Sequence, residues 1–344
     1  MRMAAGCFQL QSTYFAVSCL RLRTVLASYA YLPEIARKVN KETMARYTST
    51  FSMVQFGSQA LFLLLIVTIA GAIGLNVVML AQVSQTLNSI LIAIAFIFAY
   101  RLFPHAPPRH ELGKGESLLF QGFKQNWKTV LCINREYKNS LRWFLLGITF
   151  GDPAIQSYPA IAVIFLGGQL QMDATQIGIF FLIVLVGVVF GGLLLRCVVR
   201  RTDPNTTICM AQFVLFVLFA VGPYILVPGK AVRTYVWSFF LGIGFGVYYP
   251  VCKLYLSLVV PAGQEAEMAG FFVYCSQILV WLPPLIFSIL LEAEMDQRLG
   301  IVAIACFFLV SNLFYLMSPP FDEVLKEVGK KKPTEDDMTV SSLA

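Results

Sequence analysis

Along its length the chain alternates long apolar runs with short polar interruptions. Eight runs, at 51–73, 76–100, 142–167, 176–195, 208–227, 234–260, 268–291 and 299–317, predict membrane-spanning helices. Crossing the hydrocarbon core takes about 20 predominantly apolar residues, and a helix satisfies every backbone N–H and C=O there without water. A ninth run, at 8–35, is interrupted by Arg21 and Arg23 and predicts no clean span. It also lacks the apolar core and small-residue cleavage site of a secretory leader. The stretch 104–141 is polar, opening with Pro104, Pro107 and Pro108 and carrying Gly113-Lys114-Gly115-Glu116. It separates an N-terminal membrane segment, 1–103, from a run of six spans at 142–317. A polar tail, 318–344, is expected to be disordered. The expected fold is an all-α integral membrane protein.

Composition supports that reading and removes others. Of 344 residues, 58% are hydrophobic and 13% are charged, against roughly 45–50% and 25% in soluble domains. Mean hydropathy is +0.71. The net charge of +7 comes from 26 basic and 19 acidic residues. The basic residues are scattered between apolar runs and form no single polar face for nucleic acid. The 29 Phe and 14 Tyr exclude a disordered chain. Eight cysteines occur without a CxxC pair; Cys197, Cys209, Cys252, Cys275 and Cys306 sit in or beside apolar runs and read as buried thiols.

Charge also orients the spans. Arg37, Lys38, Lys41 and Arg46 precede the first clear span, and the connection 71–76 has no Lys or Arg. The 101–141 connection carries Arg101, Arg109, Lys114, Lys124, Lys128, Arg135 and Lys138, while 167–175 has none. Arg196, Arg200 and Arg201 mark the next basic loop. The alternation places the basic loops and the tail in the cytosol, against which Lys230 and Arg233 and the acidic loop near Glu265 run. It also makes Asn205-Thr206-Thr207, a formal glycosylation sequon, cytosolic.

Polar side chains at membrane depth face a bundle interior, a cavity or one another. Gln82, Gln85, Thr86 and Ser89 share a face of the second span. Asp152 and Gln156 lie one turn apart on the third, beside Pro153 and Pro159. Gly270, Tyr274, Gln277 and Trp281 share a face of the seventh, before Pro283-Pro284. Each stripe fits a solute path, and equally fits interhelical adhesion through amide and phenol hydrogen bonds. Asp152 is a candidate proton-coupling carboxylate or a helix-mouth residue in headgroup water. Lys253 is a candidate gating cation or an interfacial anchor with its stem in lipid. Gly242, Gly244 and Gly246 follow no strand and read as a close-packing surface or a flexible point in a rocking bundle, not a dinucleotide fingerprint.

No enzyme motif is present, and the chain is read as a non-enzyme without cofactor or metal. His105, His110 and Glu111 lie in the polar linker and read as a solvated loop. Lys330-Lys331-Lys332 is followed closely by Glu335, Asp336 and Asp337, which reads as a solvated tail.

Several segments carry a family resemblance. Tyr31-Leu32-Pro33-Glu34-Ile35-Ala36 resembles an Asn-Ser-Tyr-Leu-Pro-Glu-Ile signature, with Tyr29 where that Asn would stand. Gly113-Lys114-Gly115-Glu116-Ser117-Leu118 and Gly122-Phe123 resemble the family's central linker, and Gly151-Asp152 its Asn-Asp-Gly. The stretch from Pro261 through Glu265, Glu267 and Gly270 to Phe271 is similar to Pro-x-Gly-x-Glu-Ala-Glu-Phe-Phe-Gly. Gln297-Arg298-Leu299-Gly300 fits the start of the last span, and Lys253 stands where the family tends to have Arg.

In order and spacing, these segments over 24–317 resemble the autophagy-related vacuolar effluxers of the major facilitator superfamily. The resemblance implies a complete C-terminal six-helix half, an incomplete N-terminal half, and a first three spans lying outside this sequence. It implies a secondary transporter moving small solutes, amino acids above all, from a vacuole-like compartment to the cytosol by alternating access; protons enter as a further partner through Asp152 alone. On that basis Gln82, Gln85, Asp152, Gln156, Tyr274, Gln277 and Trp281 are the expected substrate-binding residues, and Arg196 and Lys253 the expected gating residues. At Gly191–Arg196 the superfamily's Gly-x-Leu-Ala-Asp-Arg element would put Asp at Leu195, so its usual charge pair is absent. The alternative reading is a truncated or non-transporting membrane protein with a structural or partner-binding role.

Overall fold

The computed structural model describes residues 32–33, 35–36, 39–73, 77–102, 118–137, 141–260 and 264–327. The candidate run 8–35, the histidines of the linker and the lysine run of the tail lie almost wholly outside the described residues. Eleven helices, and no strand among the described residues, make up the fold: α1 (Lys41–Ile73), α2 (Val77–Leu102), α3 (Leu118–Glu136), α4 (Leu141–Gly168), α5 (Ala174–Arg201), α6 (Pro204–Ile225), α7 (Ala231–Val259), α8 (Glu265–Gln277), α9 (Leu282–Glu292), α10 (Gln297–Leu316) and α11 (Phe321–Glu327).

Among the described residues, six stretches are long and apolar enough to cross a membrane: Lys41–Ile69, Ala174–Arg201, Pro204–Ile225, Ala231–Val259, Glu265–Glu292 and Gln297–Leu316. Helix α2 is 26 residues long and apolar along most of its length. The 28 residues of α4 reach across a bilayer, but Asp152, Gln156, Pro153 and Pro159 lower its hydropathy. Its polar atoms turn inward, and sixteen of its residues are buried, from Leu141 to Leu166.

Two of the expected runs are changed in form. The first helix begins ten residues before its apolar run, at Lys41, with Glu42 also in its first turn. The seventh crossing is broken into α8 and α9 by turns at 278–281. Pro283 and Pro284 cause the break, because neither can donate the backbone hydrogen bond that would continue α8.

The core packs α5 against α7, α4 and α6 against α10, and α1 against α5 and α7. The α5–α7 contact is set by glycine. Cβ atoms on Gly191 and Gly246 would each strike the backbone of the opposite helix, and Gly187 and Gly242 repeat the arrangement one turn earlier. Small residues four apart let helix backbones meet in lipid, where apolar burial supplies little net drive. The sequence reading of Gly242 and Gly246 as a packing surface holds. Gly244 faces Leu215 of α6. Large apolar side chains on the outer faces, among them Phe190, Phe213 and Phe240, form the lipid-facing surface.

The expectation of uniformly buried thiols is corrected. Cys252 and Cys275 are buried and Cys209 is half-buried, but Cys197 and Cys306 are exposed. Both lie on outward helix faces, where a thiol meets lipid as readily as core.

Candidate functional site

The polar residues of the C-terminal half converge inside the bundle. Asp152 of α4 is only 7% exposed, and Tyr248 of α7, fully buried, donates a 3.0 Å hydrogen bond to its Oδ1. The Tyr248 hydroxyl lies 3.5 Å from that of Tyr315 on α10. Ser311 of α10 donates to the Gly147 carbonyl at 2.7 Å, and Asn312 donates to the Cys209 carbonyl at 3.1 Å. Lys253 stands one turn and a half beyond Tyr248 on α7. A buried carboxylate is tolerated only with such partners.

Two glycines of α4 make this convergence possible. A Cβ on Gly147 would lie 2.6 Å from the Tyr315 ring. One on Gly151 would lie 2.8 Å from both Ser311 Oγ and Tyr248 Oη, and nearer still to Gln212 Nε2. Helices α6, α7 and α10 thus bring an amide and two hydroxyls onto the bare face of α4 beside Asp152. Gln212 is fully buried, and its amide finds no hydrogen-bond partner among the described residues.

A second polar pair lies one turn along α4. Gln156 donates to the Ser276 carbonyl at 3.1 Å, and Gln277 Nε2 donates to Gln156 Oε1 at 2.8 Å. The pair ties α4 to the end of α8, where the seventh crossing breaks. Gln277 is exposed, so the contact opens onto the bundle surface. Tyr274 is exposed and stacks on Phe271. Trp281 is exposed in the break, donating to the Ile278 carbonyl at 2.9 Å.

Not every expected wall residue joins. Gln82 and Gln85 are exposed on α2, whose packing within the described residues is chiefly against α1. Their carbonyls accept from Thr86 and Ser89 at 2.8 and 2.9 Å, and the stripe does not meet Asp152 or Gln156.

The two gating candidates both reach α1. Arg196 donates through Nε to Ser49 at 2.8 Å and through Nη2 to Thr50 at 2.9 Å. Lys253 is 5% exposed, donates to Gln55 Oε1 at 3.3 Å and lies 4.7 Å from the Phe51 ring. It is an inward-facing cation, so the anchor reading with its head in water is not realised. Around them Lys41 pairs with Asp203 at 3.4 Å and donates to the Thr202 carbonyl, and Arg200 pairs with Glu42 at 3.7 Å. The acid missing at position 195 is therefore replaced by hydroxyl acceptors on α1 and by neighbouring pairs. All four contacts join α1 to the C-terminal half.

Sequence reasoning missed Tyr248, Gln212, Ser311 and Gln55. Tyr248 reads as one more aromatic in an apolar helix, although its place between Gly246 and Pro250 marks a special stretch. Gln212 was legible as a lone amide in an apolar run.

Comparison with known proteins accords with this architecture. The vacuole effluxer Atg22-like family matches residues 11–320. Autophagy-related protein 22-2 of Aspergillus niger is 23% identical over 225 residues, covering 61% of this chain and 36% of that protein. Autophagy-related protein 22-1 of Aspergillus clavatus is 24% identical over 225 residues, with 61% and 35% covered. The chain thus spans about a third of the length of these curated relatives. Among solved structures, the major facilitator superfamily transporter FucP in the outward conformation superposes with a TM-score of 0.58 at 12% identity, over 86% of this chain and 72% of that one. A variant of the E. coli Fucose:proton symporter FucP gives 0.55 at 13% identity, over 86% and 73%. By family match and by fold, this multi-pass integral membrane protein belongs to the vacuole effluxer Atg22-like family and has the helical-bundle architecture of the major facilitator superfamily.

Proposed function

We propose that the chain is part of a secondary transporter that passes small zwitterionic solutes, amino acids in particular, from a vacuole-like lumen to the cytosol by alternating access. The observation that carries this reading is Asp152, a carboxylate kept inside a membrane bundle and held by Tyr248. A purely structural bundle has no use for a charge whose isolated burial costs several kcal/mol. Gln156 and Gln277, with Tyr274 and Trp281 beside them, offer the donors and acceptors that ammonium and carboxylate ends require. Gln82 and Gln85 contribute from the first half only if α2 moves toward that pair. The contacts of Arg196 and Lys253 with α1 act as a cytosolic clamp, the state in which the site faces the lumen. The family match supports the vacuolar membrane and a link to autophagic recycling, and the likeness in fold to FucP, a fucose:proton symporter, supports protons as the coupling partner.

Proteoliposomes carrying the full chain test the reading. Uptake of a labelled amino-acid mixture should rise when a pH gradient is imposed, and Asp152→Asn should abolish that rise. Uptake indifferent to the gradient rejects coupling; no uptake under any gradient rejects transport by this chain. That last outcome is the one predicted by a non-transporting, partner-binding role, which is favoured by one observation: α2 packs chiefly on α1 and leaves Gln82 and Gln85 exposed.

A further inference from the structure

We infer that α3 is a membrane-surface helix that binds the anionic phospholipid headgroups of the cytosolic leaflet. Its residues divide into three stripes. Thr129 and Ile133 are buried, one turn apart, and Thr129 hydrogen-bonds Glu267 in the first turn of α8. That stripe docks the helix on the bundle. Opposite it, at i, i+3 and i+4, Trp127 is 67% exposed, Val130 37% and Leu131 53%. Beside the apolar stripe Lys124, Lys128 and Arg135 are exposed along one line. Glu136, the last residue, is the single acid in the helix sequence.

Position decides what covers the open side. The helix ends at Glu136 and α4 starts at Leu141, so α3 lies within a few residues of the depth at which a span enters the bilayer. The charge pattern of the loops makes that the cytosolic face. Trp prefers the headgroup level, and lysine and arginine beside an apolar stripe complement lipid phosphates and carboxylates. A face turned to bulk water would leave Trp127, Val130 and Leu131 uncovered.

Emission from Trp127 tests the assignment, isolated as the difference between the wild-type chain and Trp127→Phe in nanodiscs. Brominated phosphatidylserine should quench this emission at least twofold more than brominated phosphatidylcholine at equal mole fraction, and the preference should shrink as salt is raised. Lys124→Glu, Lys128→Glu and Arg135→Glu together should remove the preference; the neutral triple Gln variant, with less effect on folding, should reduce it. Quenching by aqueous iodide but not by bromolipid would show a face open to the cytosol and overturn the proposal. Shielding from both quenchers would show protein covering the face, from a second copy or another chain, and overturn it equally. Neither result touches the transport reading, which rests on Asp152.

Discussion

Tyr248 and Asp152, 96 positions apart in sequence, meet at 3.0 Å in the interior of the C-terminal bundle. The phenol is the carboxylate's closest described donor, and Gly151, bare of a Cβ, lets the phenol reach α4. Tyr248→Phe leaves a buried acceptor without this donor, which costs about 1–3 kcal/mol. Asp152→Asn removes the charge and lowers the need for the donor. The expected result is non-additive: the double variant loses less stability than the sum of the singles, with a coupling of about 0.5–3 kcal/mol, measured by thermal unfolding in detergent.

Helix contact through glycine gives a sharper stability test. Gly191→Ala and Gly246→Ala each drive a methyl into the backbone of the facing helix, and overpacking of this kind costs about 1–3 kcal/mol. Gly270→Ala meets nothing within 4 Å and should be neutral or stabilising, by up to about 1 kcal/mol of helix propensity. Thermal melting of the three variants checks the order; a destabilised Gly270→Ala beside an unchanged Gly246→Ala would contradict the packing described.

The proposed clamp predicts a modest population shift. Lys41 is partly exposed, and Asp203, Arg200 and Glu42 are exposed, so each pair is worth at most about 1 kcal/mol. Asp203→Lys should therefore raise the fraction of molecules open to the cytosol by no more than about fivefold. The exchanged pair Lys41→Asp with Asp203→Lys should restore the starting value. Spin-label distances between the ends of α1 and α6 report the shift, and a swap that fails to restore them removes the pair from the clamp.

Topology yields a simple observation. Asn205 lies in the first turn of α6, and Thr207, the hydroxyl residue of its sequon, is buried and donates to the Asp203 carbonyl. In a secretory-pathway expression host Asn205 should remain unmodified. A mass shift removed by a glycosidase and abolished in Asn205→Gln would reverse the orientation of every span.

Most of the helices were legible because hydropathy in a membrane protein is nearly a one-dimensional code: an apolar run of the right length has one stable form. The site was only half legible. Asp152 and Gln156 declare themselves as polar groups in an apolar run, but their partners do not. Tyr248 resembles its aromatic neighbours until α4 is placed beside it. Gln82 and Gln85 show the reverse failure, since a polar stripe at helical spacing names a face without naming what covers it. Lys253 could point either way along its helix, and the choice is made by Gln55 and Phe51, almost two hundred residues away in sequence. Local pattern fixes which groups are costly to bury; only tertiary contact decides who relieves the cost.

The interruption at 278–281 has a mechanical consequence. A continuous helix transmits a tilt at one end to the other, as a stiff beam does. With Pro283 and Pro284 at the joint, α8 and α9 are two short levers sharing a pivot, and the Gln156–Gln277 bond is fastened at that pivot. Displacement of α8 against α4 can therefore occur while α9 keeps its seat on α10 and α4, so one side of the crossing can swing without dragging the other.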